Sequence, residues 1–422
     1  MIGGGRLVLG DALDVASALA AEGLAAKVDV VYLDPPFASQ AAYQYEARLD
    51  GPADGRVVRT TAYDDRWEGE GLGGYLDMLA PRLEALVRLL APGGTIWTHV
   101  DYRASYLVRL VLDEVLGREA FVNEIVWRRA PNLGRQAASH QFGRTLDTLV
   151  VYGIGRPALV PPTRLEVIDP AAARKDENGR WFIAAPRGDY TDESIERLER
   201  EGRVHRSTGG KVYVKYFLVP NRDGELCRER RVDALWTDVR PLRHASPSER
   251  TGFPTQKPRA LLDRIIGCAS RPGGMVVDLF AGSGTTGESA HALGRRFVLG
   301  DASPIGFSAA RARLLRAGAV ATLERCGAAN WPDAPPPVVE VRPMGASVGI
   351  HLLAPAEPLA WAIGTLGDGG APLRTIWHSE RTPGARTRPV ERQAIVPFGV
   401  AALAVRVWGD DGGMGTRVVE LS

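Results

Sequence analysis

The chain has 422 residues, 45% hydrophobic and 24% charged, which is enough to bury a full core and excludes a disordered protein. A net charge of +2 and a pI near 8.4 neither announce a nucleic-acid binder nor exclude one. The first residues lack a signal-peptide pattern and no apolar run approaches the roughly 20 residues that span a bilayer, so a soluble, cytoplasmic protein with no membrane segment is expected, and the widely spaced Cys227, Cys268 and Cys326 predict reduced core thiols and no metal site.

Taken in order, Arg6 to Leu9 reads as a short strand, Gly10-Asp11 as a turn with Asp11 placed to cap a helix, and Ala12 to Glu22 as that helix. Val28 to Leu33 is short, apolar and β-branched, the pattern of a buried parallel strand. Two prolines end it in Asp34-Pro35-Pro36-Phe37. A carboxylate, a carbonyl, a rigid turn and an aromatic ring suit the grip of a flat heterocycle by its exocyclic amine. Asp34 and the Pro35 carbonyl would accept from the –NH2 group and Phe37 would stack on the ring, whereas a plain strand-ending turn is the competing reading.

Ala38 to Gly71 shows no clear periodicity and reads as a long functional loop. Leu72 to Leu90 repeats apolar residues at helical spacing, with Pro81 marking a kink or a late start; Pro92-Gly93-Gly94 should end it. Thr95 to Val100 is the next buried strand, with His99 read as a satisfied structural histidine, and Tyr106 to Leu116 is helical. Phe121–Trp127 and Thr148–Tyr152 read as a strand pair. The loop between them, with Arg128, Arg129, Asn132, Arg135, Gln136, His140 and Arg144, has a composition suited to a phosphate backbone or simply to solvent.

From Arg156 to about Thr237 the helix–strand alternation breaks down around a charged stretch, a solvated helix near Asp192 to Glu201, and the strand-like run Lys211 to Leu218. Alternation resumes with a helix at Leu261 to Ala269 and a strand at Met275 to Phe280. The glycine loop Gly282-Ser283-Gly284-Thr285-Thr286-Gly287, a strand Arg295 to Asp301 and a last helix Ser303 to Arg316 follow. A linker, Pro332 to Pro337, precedes a tail of short runs at Val338–Val341, Leu359–Ile363, Thr375–Trp377, Gln393–Val396, Leu403–Trp408 and Arg417–Leu421, which predicts a small β-sandwich.

Asp34-Pro35-Pro36-Phe37, with Leu9-Gly10-Asp11-Ala12-Leu13 before it and Thr255-Gln256-Lys257-Pro258 and Asp278-Leu279-Phe280-Ala281-Gly282-Ser283-Gly284 far downstream, resembles the β-class of site-specific DNA amino-methyltransferases. In that class the catalytic motif precedes the cofactor motif, and the likeness covers roughly residues 6–318. It implies an α/β fold with a doubly wound, mostly parallel sheet of the S-adenosylmethionine-dependent methyltransferase type, in circularly permuted motif order. It implies a catalytic domain over 1–330, with the target-recognition region at 156–237, beside a β-rich accessory domain at 338–422. Asp34, Pro35, Pro36 and Phe37 would then be catalytic. S-adenosyl-L-methionine would be held by Asp11, Ala12, Thr255, Lys257, Asp278, Phe280, Gly282, Ser283, Gly284 and Asp301, with Lys257 and Thr255 near its carboxylate and Asp11 against its adenine. Arg174, Lys175, Arg180, Arg187, Arg206, Lys211 and Lys215 become candidates for DNA contacts.

The glycine loop alone also fits a dinucleotide fold, but Asp278 beside it would repel a pyrophosphate and welcome an ammonium group. The resulting reading is methyl transfer to adenine N6 in double-stranded DNA after base flipping. Cytosine-N4 transfer is the alternative within catalysis, and a non-catalytic DNA-binding subunit the alternative outside it. A homodimer and a cognate restriction endonuclease are the further partners the class admits.

Overall fold

The structure, a computed structural model, describes residues 4–49, 56–67, 71–131, 140, 142–319, 321–327, 335–344, 347–355, 360–367, 371–380, 390–397, 402–408 and 414–420. Asn132, Arg135, Gln136, Pro332, Leu359 and Leu421, singled out above, lie outside those residues.

Its central feature is a nine-stranded sheet in the spatial order Leu235–Trp236, Phe121–Arg128, Leu146–Gly153, Leu90–Val100, Val28–Leu33, Met275–Asp278, Arg296–Asp301, Gly5–Leu9 and Ala321–Arg325. Leu146–Gly153 is antiparallel to both of its neighbours, and every other pairing is parallel. Helices Ala12–Leu19, Gly71–Val87 and Ser105–Leu116 pack in one row, and Arg259–Ala269, Thr285–Ala292 and Pro304–Arg316 in another, which is the doubly wound arrangement. The helix Gly71–Val87 shows why its sequence folds this way. Tyr75, Leu79, Leu83 and Leu86 recur at helical spacing and are fully buried, and each such apolar side chain contributes about 1.5–3 kcal/mol.

Val28–Leu33 pairs on one side with Leu90–Val100 and on the other with Met275–Asp278. From the first of these strands the chain leads away to one side of the sheet, and from Met275–Asp278 it leads through Thr285–Ala292 to Arg296–Asp301 on the other. The connections thus diverge at the centre. Open α/β sheets bind their ligands in the crevice that this divergence leaves at the carboxyl ends of the strands.

Several expectations need correction. The stretch Ala38 to Gly71 is no irregular loop: Ala42–Leu49 and Arg56–Asp64 pair antiparallel as a ribbon. A register shift between Tyr43 and Gln44 breaks the alternation a strand would show, although Val57, Val58, Thr60 and Thr61 carried the β-branched signal. The second helix stops at Val87 and contains Pro81, and Pro92-Gly93-Gly94 lies inside the strand Leu90–Val100, where pairing slips between Val28 and Val30.

Residues 161–233 form a compact unit of their own. In it Thr163–Val167, Leu226–Arg231, Val212–Pro220, Trp181–Pro186 and Arg174–Lys175 make an antiparallel sheet, with Val204–Arg206 also paired to Val212–Pro220. Helix Asp192–Arg200 buries Ile195 and Leu198 against Val214.

In the tail, Val338–Met344, Ser347–Ala354 and Gln393–Pro397 form one antiparallel sheet, and Ala371–Glu380, Ala360–Gly367, Ala402–Trp408 and Met414–Glu420 another. Alternate residues from both, among them Val348, Ile350, Leu352, Trp361, Ile363, Val405 and Val407, share one core. Ser347–Ala354 was not foreseen, although Val348, Ile350 and Leu352 alternate there with Ser347, Gly349 and His351.

The glycine loop is held tightly against the sheet domain. Gly284 has φ 76°, and a Cβ there would lie 2.7 Å from the Ala310 Cα of helix Pro304–Arg316. Gly284→Ala should therefore destabilise the protein by about 1–3 kcal/mol, read as a lower urea midpoint at unchanged slope. An unchanged midpoint would show that the helix gives way freely.

Candidate active site

A cavity of about 580 Å³ opens at the divergence of the central strands, within the size range of small-molecule sites. Every site residue singled out from the sequence lines it except Gly284, which supports the loop from behind.

Asp34 follows directly from Val28–Leu33. Its Oδ2 is paired with the Lys257 ammonium, while its Oδ1 is buried with no hydrogen-bond partner. A buried carboxylate oxygen without a donor is costly, so this atom awaits one. The turn beyond it is braced by Asp65, whose carboxylate accepts from the Phe37 N–H at 3.1 Å, the Ser39 N–H at 2.8 Å, the Ser39 hydroxyl at 2.6 Å and the Trp67 indole at 3.0 Å. The Tyr75 hydroxyl donates to the Pro36 carbonyl at 2.9 Å. Nothing in the sequence marked Asp65, because it is one acid among several in an apparently patternless stretch.

Beneath Phe37 lies a buried polar chain. The Phe37 ring stacks on His99, with centroids 6.1 Å apart, and His99 Nδ1 lies 2.9 Å from the Tyr32 hydroxyl and Nε2 3.2 Å from Asp147. Arg129 Nε lies 2.7 Å from Asp147. Burial pushes the Asp147 carboxyl up, but the hydrogen bond and charge of His99, with Lys257 and Arg129, outweigh it and leave the group below its ordinary value. His99 is thus a satisfied histidine, and the ring under Phe37 as well. Arg129, foreseen as a phosphate contact, is turned to Asp147, and Arg144 stacks on Tyr102 at 4.6 Å.

On the other side of the cavity, Asp278 accepts from the Phe280 N–H at 3.0 Å and the Thr286 hydroxyl at 2.6 Å. Burial pushes its carboxyl up to about 7, and the charges of Asp34 and Asp301 add to this. Asp301 accepts from the Gly282 N–H at 2.7 Å and the Ser303 N–H at 2.8 Å, and burial raises it to about 6. Asp11 caps its helix by accepting from the Leu13 N–H and also pairs with Arg82 at 2.5 Å. Buried Arg313 donates to the Ser283 carbonyl at 2.8 Å and pairs with Glu288, fixing the glycine loop. The ribbon adds a wall: Tyr63 stacks on Tyr43, with centroids 4.7 Å apart, and shares a 3.1 Å hydrogen bond with Thr255.

The sequence profile of the family described as DNA methylase, the N6/N4 methyltransferases, matches residues 28–306. The chain belongs to this family. It is 26% identical over 299 residues to the Type II methyltransferase M.EcaI of Enterobacter cloacae, a match covering 64% of this chain and 61% of that one. It is also 25% identical over 332 residues to the Mod subunit of the Type III restriction-modification enzyme StyLTI of Salmonella typhimurium, covering 67% and 49%. The matches thus span about half to three fifths of these relatives' lengths. Among solved structures, M1.HpyAVI in complex with SAM is similar at a TM-score of 0.42 and 17% identity, covering 73% of this chain and 98% of that one.

Of the seven aspartates that line the cavity, Asp278 and Asp301 have their carboxyl groups raised by burial, and a ligand that brings positive charge beside them fits both. Both shifts favour the neutral acid in the fold. Their contribution to stability is complete below the ordinary value of 3.8 and is lost as pH rises through about 6 and 7. Ligand-free protein should therefore lose melting temperature between about pH 4 and 7 relative to Asp278→Asn, in which the Asp278 part is absent. A cationic cofactor should bind more tightly at about pH 8 than at about pH 6, and the variant should flatten that dependence. Parallel curves for the two proteins would overturn the assignment.

Proposed function

We propose that the protein transfers a methyl group from S-adenosyl-L-methionine to the exocyclic N6 of adenine in double-stranded DNA. The observation that carries this is Asp34, which lines the same cavity as the glycine loop and Asp278 and whose Oδ1 is buried without a hydrogen-bond partner. Membership in a family of DNA methylases supports it, as does similarity to a Type II methyltransferase and to a Type III Mod subunit. When bound, the cofactor supplies an electrophilic methyl group on a sulfonium.

The protein's own residues then have separate tasks. Asp278 and Asp301 offer acceptors to an ammonium group and to ribose hydroxyls, and Gly282 lets the backbone approach closely. Asp34 accepts from the target N–H. This localises the nitrogen lone pair, which would otherwise be spread into the ring, and so makes the amine a better nucleophile. Phe37, held from below by His99 and from its backbone by Asp65, offers a fixed face for the base. Stacking there offsets part of the few kcal/mol that extrusion from the duplex costs. Asp rather than Ser at position 34 favours adenine N6 over cytosine N4 by resemblance.

The test is incubation with methyl-labelled cofactor and mixed-sequence duplex DNA, followed by mass analysis of the nucleosides and mapping of the modified position. N6-methyladenine is expected; N4-methylcytosine would transfer the same chemistry to the other base, and an unlabelled DNA would overturn the reading. Asp34→Ala should abolish labelling, by at least ~100-fold, while S-adenosylmethionine still binds, because Asp34 addresses the amine. Loss of both activities in a folded variant would place Asp34 on the cofactor instead.

A further inference from the structure

We infer that residues 239–250 form a basic arch at the mouth of the cavity that binds the DNA phosphates flanking the extruded nucleotide, with Arg243 as its innermost contact and Arg240 beside it. This rests on the methyltransferase reading above.

The segment holds three arginines and a single acid, Glu249. That acid is engaged elsewhere, because its carboxylate accepts from the Arg259 N–H at 2.8 Å at the start of helix Arg259–Ala269. Arg240, Arg243 and Arg250 are exposed, and among the described residues none of the three forms an ion pair with a carboxylate. Arg243 donates through Nε to a ring nitrogen of His244 at 3.1 Å, which leaves its two terminal nitrogens for an anion. Arg250 donates to the carbonyls of Arg243 and Ala245 and so holds the turn that carries Arg243.

The two ends of the segment are fastened to opposite halves of the cavity. At one end the Trp127 indole donates to the Val239 carbonyl at 2.9 Å, and Trp127 lies edge-on to His99, the ring that supports Phe37. At the other end the Glu249 carbonyl accepts from the Gln256 amide at 2.7 Å and from Arg313 at 3.2 Å, and the same Arg313 holds the Ser283 carbonyl of the glycine loop. Between them, the His244 and Ala245 N–H groups close short turns onto the Pro241 and Leu242 carbonyls, both at 2.9 Å. An anion binding to Arg243 therefore meets a preorganised backbone and has no loop to order.

The ligand follows from the charges inside. Arg243 is the exposed one among the charged residues that line the cavity, so it stands at the mouth. Deeper in, three cations face seven aspartates, and each is already held by one of them: Arg103 by Asp101, Arg129 by Asp147 and Lys257 by Asp34. A nucleotide whose base enters this cavity keeps its two phosphodiesters at the mouth, where the carboxylates repel them. The arch supplies positive charge at that place, unspent on any carboxylate among the described residues. A free base would have no use for it; a nucleic-acid backbone does.

The experiment uses the full chain and measures duplex binding by fluorescence anisotropy between about 50 and 200 mM salt. Arg243→Gln should flatten the slope of log K against log salt by about 0.9, the value of one phosphate contact, and Arg240→Gln should do the same. Both effects should appear on every duplex sequence, with the dissociation constant of S-adenosylmethionine unchanged. A second arm places a neutral methylphosphonate at each phosphate next to the base mapped by methyl labelling. At one of these positions it should weaken wild-type binding about fivefold and leave Arg243→Gln no weaker than before. An unchanged salt slope in Arg243→Gln, or the same methylphosphonate losses in wild type and variant, would overturn the inference while methyl transfer stands. Absence of methyl label in DNA would overturn the functional reading instead, and the salt slope, which needs no methylation, would still decide whether the arch binds phosphate.

Discussion

The site depends on one pairing: Val28–Leu33 and Met275–Asp278 lie side by side and parallel, with Val30 opposite Val276 and Val31 opposite Val277, although most of the chain separates them in sequence. Parallel neighbours end at the same edge. The residues that leave those two ends, Asp34 and Asp278, are therefore delivered to one crevice, and both are acids. Two carboxylates in a poorly solvated space cannot both stay charged without help. One of them holds Lys257, and the other has its carboxyl raised to about 7. The ligand-free site is thus electrostatically incomplete. It gains most from a molecule that brings positive charge to Asp278 and a hydrogen-bond donor to Asp34.

A second constraint is rigidity where the base would rest. Pro35 and Pro36 fix two backbone angles and supply no N–H, so the turn cannot brace itself through its own backbone. Bracing comes from outside, through the four donors gathered by Asp65, the Tyr75 hydroxyl on Pro36 and the His99 ring under Phe37. A platform braced in this way transfers more of its binding energy to orientation than a mobile one.

The parts of the fold legible in the sequence are those in which one local pattern decides the outcome. Val28–Leu33 is a buried strand because it is apolar and β-branched except at Asp29, and Gly71–Val87 a helix because its apolar residues recur on one face. The ribbon Ala42–Leu49 with Arg56–Asp64 was hidden because a register shift and polar faces erase alternation, and its partner is supplied by pairing that no single strand encodes. The site divides in the same way. Asp34, Phe37 and the glycine loop announce themselves by residue type and spacing. Asp65, Tyr63 and the Asp34–Lys257 pair are contacts between distant stretches, so they become visible only when the chain is folded.

The same logic of paired charges runs through the compact unit 161–233, where the candidate DNA-contacting residues lie. Arg187 pairs with Asp192 and Arg206 with Glu199, while Lys175 and Lys215 lie over the rings of Trp181 and Phe182. Exposed ion pairs of this kind hold their partners by only about 0–1 kcal/mol, so a phosphate can take the guanidinium over at little cost. The enclosed pair of Lys257 and Asp34 does not exchange with solvent in that way, because each partner would be left charged in a space with little water. The surface pairs thus yield to another anion at little cost, whereas the enclosed pair of Lys257 and Asp34 does not separate so cheaply.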